Sequence, residues 1–113
     1  MFRLKPYRKR SVIVDSKPKL DNLCRKMRYL EEFAFDTETN TLRVLGANSK
    51  FRLVGISISW GEYDNYYIPV GHIRDEDVFR QLQLSTVVDY LKPIFEREDV
   101  RIIGHNLRPV YLT

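Results

Sequence analysis

The sequence predicts one α/β domain with a mixed sheet: an antiparallel three-strand meander, a crossover helix, and a last strand parallel to the first. Three observations carry this. Residues 51–60, FRLVGISISW, put Ile56, Ile58 and Trp60 on one side and Ser57 and Ser59 on the other, the period of two that marks a strand. YYIPV at 66–70 returns after the turn-forming stretch Gly61 to Asn65, which makes a hairpin. A helical pattern from about Thr86 to Arg97 then separates that hairpin from a final apolar run, VRIIG at 100–104. A right-handed crossover through this helix sets the final strand parallel to, and beside, the strand that opens the meander.

The elements follow in order. Residues 1–10 read as a basic extended arm, and SVIV (11–14) as a short β-branched strand. Asp15 and Ser16 offer capping side chains, and Pro18 suits a first helical turn. Leu20, Leu23, Cys24, Met27 and Leu30 recur at spacings that predict an amphipathic helix to about Leu30, with Cys24 in the core. Phe33–Ala34–Phe35 is a short buried strand. Pro69 places its strand at a sheet edge or ends it. Ser85 caps the second helix, which turns Val87, Val88, Leu91, Ile94 and Phe95 inward and bends at Pro93.

A chain of 113 residues holds one small core, and 43% hydrophobic with 30% charged residues is the composition of a globular rather than a disordered chain. No apolar run approaches the roughly 20 residues of a membrane span, and MFRLKPYRKR lacks the apolar stretch of a signal peptide. A single cysteine, Cys24, excludes an internal disulfide and fits a reducing cytoplasm, the expected location. The net charge of +4 is unevenly placed: residues 1–28 carry ten basic and two acidic residues, and the remainder nine basic and thirteen acidic. A basic segment beside an acidic body suits a protein that grips phosphates with one part and metal with another, with Arg3, Lys5, Arg8, Lys9 and Arg10 as the phosphate contacts. A solubilising tail that touches nothing has the same composition.

The chemistry concentrates in FAFDTETNT, residues 33–41. Residues i and i+2 of a strand share a face, so Asp36 and Glu38 converge if the strand continues through Thr37. Two close carboxylates resist joint ionisation unless a cation neutralises them, and carboxylate oxygens select hard cations such as Mg²⁺ or Mn²⁺. An acidic turn where a strand meets water is the plainer alternative. The predicted topology brings the end of this strand beside the end of VRIIG, at the place where α/β sites form, and so gathers Asp36, Glu38, His105 and Asn106.

FAFDTETNTL, LVGISISW, YYIPVGH and IIGHNL, in this order, resemble the 3′–5′ proofreading exonuclease domain of family A DNA polymerases, the polymerase I type. The resemblance runs from about Val12 to Leu107. It implies an RNase H-like (DnaQ-like exonuclease) fold, and hydrolysis of DNA at single-stranded 3′ ends with two divalent metals, Mg²⁺ or Mn²⁺, held by carboxylates. It implies that Asp36 and Glu38 are catalytic metal ligands, with Glu38 also orienting the attacking water. Thr39 and Leu42 would contact the terminal nucleotide, Leu42 as an apolar wedge, and Asn106 would lie near the scissile phosphate. His72 and His105 fall in family-like strings at ordinary positions and read as structural or surface residues.

The sequence departs from the family pattern after Asn106. The aspartate of the second motif falls at Val110, and Pro109 disfavours helix at Arg108. The third motif, a tyrosine followed by an aspartate, is expected after a further helix and strand, and the 113 residues stop before that point. Residues 11–113 thus read as an incomplete exonuclease-like domain, a truncated form of the fold, with 107–113 as an ending foreign to the pattern. Without further helices, Ile56, Ile58 and Trp60 are expected to be partly exposed. Three functions stay open: a weak or inactive exonuclease domain, a non-catalytic module that binds nucleic acid or a replication protein, and one piece of a split enzyme completed by another polypeptide or by a second copy.

Overall fold

The computed structural model describes residues 11–42, 50–72 and 80–104. The basic arm, His105, Asn106, Pro109, Val110 and the 107–113 ending lie outside these residues. The elements are β1 (Val12–Ile13), α1 (Lys17–Met27), β2 (Glu32–Leu42), β3 (Lys50–Trp60), β4 (Asp64–Pro69), α2 (Leu84–Phe95) and β5 (Arg101–Gly104).

Helix α1 begins where the sequence says it should. The Ser16 hydroxyl accepts from the Lys19 amide at 3.4 Å, and Pro18 occupies the first turn, where its missing N–H costs nothing. It stops at Met27 rather than Leu30, and Leu30 packs on the core from beyond the helix end. Helix α2 differs more. Gln83 stands at its N-cap without a side-chain bond, so Ser85 lies in the first turn and is not the cap. Val87, Leu91 and Ile94 are its buried stripe, while Val88 and Phe95 are only partly buried.

The five strands form one sheet in the order β1-β4-β3-β2-β5. β2, β3 and β4 are the antiparallel meander, and β5 returns through α2 to pair parallel with β2, from Glu32↔Arg101 to Phe35↔Gly104. β1 pairs parallel with β4, so β4 is not an edge strand, and Pro69 is simply its last residue. Gly61, at φ 64°, makes the β3–β4 turn in a conformation that favours glycine.

Both helices cover the same face of the sheet. Phe95 of α2 meets Phe33 and Phe35 of β2 edge-on, with centroids 5.3 and 4.9 Å apart. Lys26 of α1 donates to the Tyr66 hydroxyl on β4 at 3.2 Å, and the Cys24 thiol donates to the Tyr90 carbonyl at 3.6 Å, which ties α1 to α2. Phe33, Ile56, Ile58 and Ile68 are fully enclosed between these layers. This corrects the expectation of an exposed apolar patch: Ile56 and Ile58 are 0% and 1% exposed, and Trp60 is half-buried, stacked on Tyr66 at 5.1 Å. The two amphipathic helices cover the apolar side of the sheet. What they leave open is the opposite, polar face.

Candidate active site

Asp36 and Glu38 stand on that open face. β2 is 11 residues long, so the strand does continue through Thr37, as convergence of the two acids requires. Its ladder partners show the common face: Asp36 pairs with Ser57, and Glu38 with Gly55. Alternate residues rise about 6.5–7 Å along a strand, a span that two carboxylate side chains can close around one cation. Asp36 is half-buried, and its Oδ1 accepts from the Thr37 amide at 2.9 Å. Glu38 is exposed.

The register slips by one residue between Glu38 and Thr39, where Thr39 pairs with Leu53 and Val54 is passed over. Such a bulge bends the strand and re-aims the side chains beyond it. The Val54 carbonyl accepts from the amides of Val70 and Gly71, at 3.0 and 3.1 Å, and so holds the segment after β4 against the bulge. Thr39 is exposed and follows the bulge directly. Leu42 pairs with Lys50 at the far end of β2, about 13 Å along the strand from Glu38. Gly104, the last described residue of β5, pairs with Phe35, directly before Asp36. The strand that precedes His105 and Asn106 therefore ends at the level of the acid pair.

Sequence reasoning missed one feature of this face. Tyr67 pairs with Ser57, which pairs with Asp36, so the three form a row. The Tyr67 ring lies across Gly55, where any Cβ would collide with it. Its hydroxyl is 2.8 Å from Nε2 of His72, and the two rings meet edge-on. Gln81 clamps the His72 backbone: its Oε1 accepts from the His72 amide at 2.5 Å, and its Nε2 donates to the His72 carbonyl at 2.6 Å. The structural role expected for His72 agrees with this packing. The signal in the sequence is a glycine inside an alternating strand, which often marks the close approach of another group.

The donor set fits one hard cation: two carboxylates on one face, with solvent able to complete the shell. Among the described residues no group of three or more histidine, cysteine or acidic side chains gathers to hold a metal. None of their helices is long and apolar enough to cross a membrane.

Comparison with known proteins agrees with this geometry. A family model described as 3′–5′ exonuclease matches residues 11–109. The chain is 30% identical over 98 residues to DNA polymerase I of Borreliella burgdorferi, and 33% identical over 96 residues to DNA polymerase I of Chloroflexus aurantiacus. These matches cover 84% and 85% of this chain but 10% and 9% of the polymerases, so the chain spans about a tenth of the length of those relatives. The EXO domain of Aedes aegypti Nibbler shares the fold, with a TM-score of 0.61 over 92% of this chain and 42% of that one, at 19% identity. A mixed sheet of this order, the acid pair on its second strand and a family match across nearly the whole chain lead to one conclusion: the chain belongs to the 3′–5′ exonuclease domain family of the DNA polymerase I type.

Proposed function

We propose that this chain is a metal-dependent exonuclease domain acting on single-stranded DNA 3′ ends, and that its 113 residues alone are weak or inactive in catalysis. One observation carries the reading: Asp36 and Glu38 share the face of β2 opposite the two helices, beside the end of the parallel strand β5. The two carboxylates would hold Mg²⁺ or Mn²⁺. When bound, the cation supplies Lewis-acid stabilisation of charge on the scissile phosphate and a means of activating water. Thr39 and Leu42 would contact the terminal nucleotide, Asn106 would lie near the scissile phosphate, and the basic residues of the arm would hold the strand through its phosphates. Two carboxylates offset little of the charge of a metal pair, and Val110 occupies the position of the second-motif aspartate.

The test is Mn²⁺ titration of the unmodified chain and of Asp36→Ala. Weak saturable binding is expected, lost in the variant and weakened in acid, because protonated carboxylates are poor ligands. Identical titration curves for the two proteins would remove the metal reading.

A further inference from the structure

The register break beside Glu38 is held in place from the β4 side. Glu38 pairs with Gly55, the next rung joins Thr39 to Leu53, and Val54 is the extra residue of β3. The Val54 carbonyl accepts from two consecutive amides, those of Val70 and Gly71, so the chain leaving β4 is seated on the extra residue. Gly71 lies against the same stretch. A Cβ there would collide with the Leu53 carbonyl and press on Val54 Cα at 3.2 Å. These are backbone atoms, which cannot swing aside as the tip of a side chain can, and Val54 is itself buried in the core at 4% exposed. Gly61 alone among the described glycines has a positive φ, so Gly71 is required for room rather than for conformation.

We infer that Gly71 is a positioning residue for Glu38: by seating the 70–71 segment on the bulge, it fixes the Glu38 rung relative to that of Asp36. A bulge adds right-handed twist where it stands. This one adjoins the Glu38 rung and lies two rungs further from Asp36, so it turns the first more than the second. The two side chains must close about 6.5–7 Å of strand to meet on one cation, and the twist between their rungs sets whether they converge or splay. An exposed glutamate has many rotamers to lose when it becomes a ligand, so the backbone beneath it has to supply the aim. The inference rests on the metal reading of the acid pair.

The experiment is Mn²⁺ titration, followed by electron paramagnetic resonance, of the unmodified chain, Gly71→Ala and Gly61→Ala, well below the melting temperature of each. Gly61 is the matched control: its replacement strains the turn at the other end of β3, and a Cβ there meets nothing within 4 Å. Gly71→Ala should weaken Mn²⁺ binding about tenfold, the lower end of what losing a ligand's supporting groups costs, and Gly61→Ala should leave binding unchanged. If Gly71→Ala does not hold its fold, deletion of Val54 is read in its place. It removes the extra residue, leaves Glu38 with Gly55 and Thr39 with Leu53, and should weaken binding in the same direction. Unchanged affinity in Gly71→Ala overturns the positioning role while the metal reading stands. Equal weakening in both glycine variants overturns it as well, since it marks a general effect on the fold. Absence of Mn²⁺ binding by the unmodified chain overturns both readings.

Discussion

Cys24 shows how one residue's surroundings set its chemistry. Its place on the apolar stripe of α1 marks it as core, and it is buried there, with its thiol pushed up to about 11 by burial first and by the charge of Asp21 second. The folded chain thus keeps a proton that the unfolded chain loses near the ordinary thiol value of 9.0. Between these two values the unfolded state binds fewer protons, so stability falls as pH rises through that window. The melting temperature should drop less steeply across that window in Cys24→Ala than in the unmodified chain. Equal slopes would show that the thiol contributes nothing to alkaline unfolding. The same burial predicts slow alkylation by iodoacetamide at mildly alkaline pH, since the thiolate is the nucleophile.

At the level of elements, β2 is the instructive case. Apolar content marks only Phe33–Phe35 as strand, yet β2 runs from Glu32 to Leu42. The polar string DTETNT mixes strand-favouring threonines with Asp and Asn, which disfavour strands, so its local preference is weak. It extends because β3 offers a ladder as far as Lys50, and tertiary pairing overrides weak local preference. Two glycines of the meander separate two reasons for glycine. Gly61 has open space around it but a φ of 64°, whereas Gly55 lacks room because the Tyr67 ring lies over it. Gly61→Ala should cost about 1 kcal/mol through its backbone conformation. Gly55→Ala should cost about 1–3 kcal/mol through overpacking, since the phenol ring must move. Thermal melting of both variants checks this, and a Gly55→Ala protein as stable as the unmodified chain would mean that the ring has somewhere else to go.

For the whole molecule, the distribution of layers matters most. α1 and α2 enclose one face of the sheet and leave Asp36, Glu38, Ser57 and Tyr67 on the other. In this arrangement two acids, and no third group from the described residues, are available to a phosphodiester. The expected outcome is poor catalysis by the chain on its own, with a loss of about 4 kcal/mol of transition-state stabilisation, roughly a thousandfold in rate. Val110→Asp alone should restore little, because it adds a single carboxylate. The comparison to run is end-labelled single-stranded DNA with Mg²⁺, unmodified chain against Asp36→Ala/Glu38→Ala. Rapid stepwise 3′ shortening by the first and not the second would mean that further carboxylates come from a second copy of the chain.

The acid pair and the meander were legible in the sequence alone, because a period of two and an i, i+2 spacing are properties of the backbone itself. The parallel placement of β5 was legible too, since chain handedness leaves a helical crossover one favoured sense. The partner of β1, the extent of β2 and the covered face were not. Each depends on which surfaces meet, and pairing and burial are settled between segments far apart in sequence. Tyr67 belongs with these: strand alternation gives its face, but only the bare backbone of Gly55, brought alongside by β3, lets its ring lie across that strand.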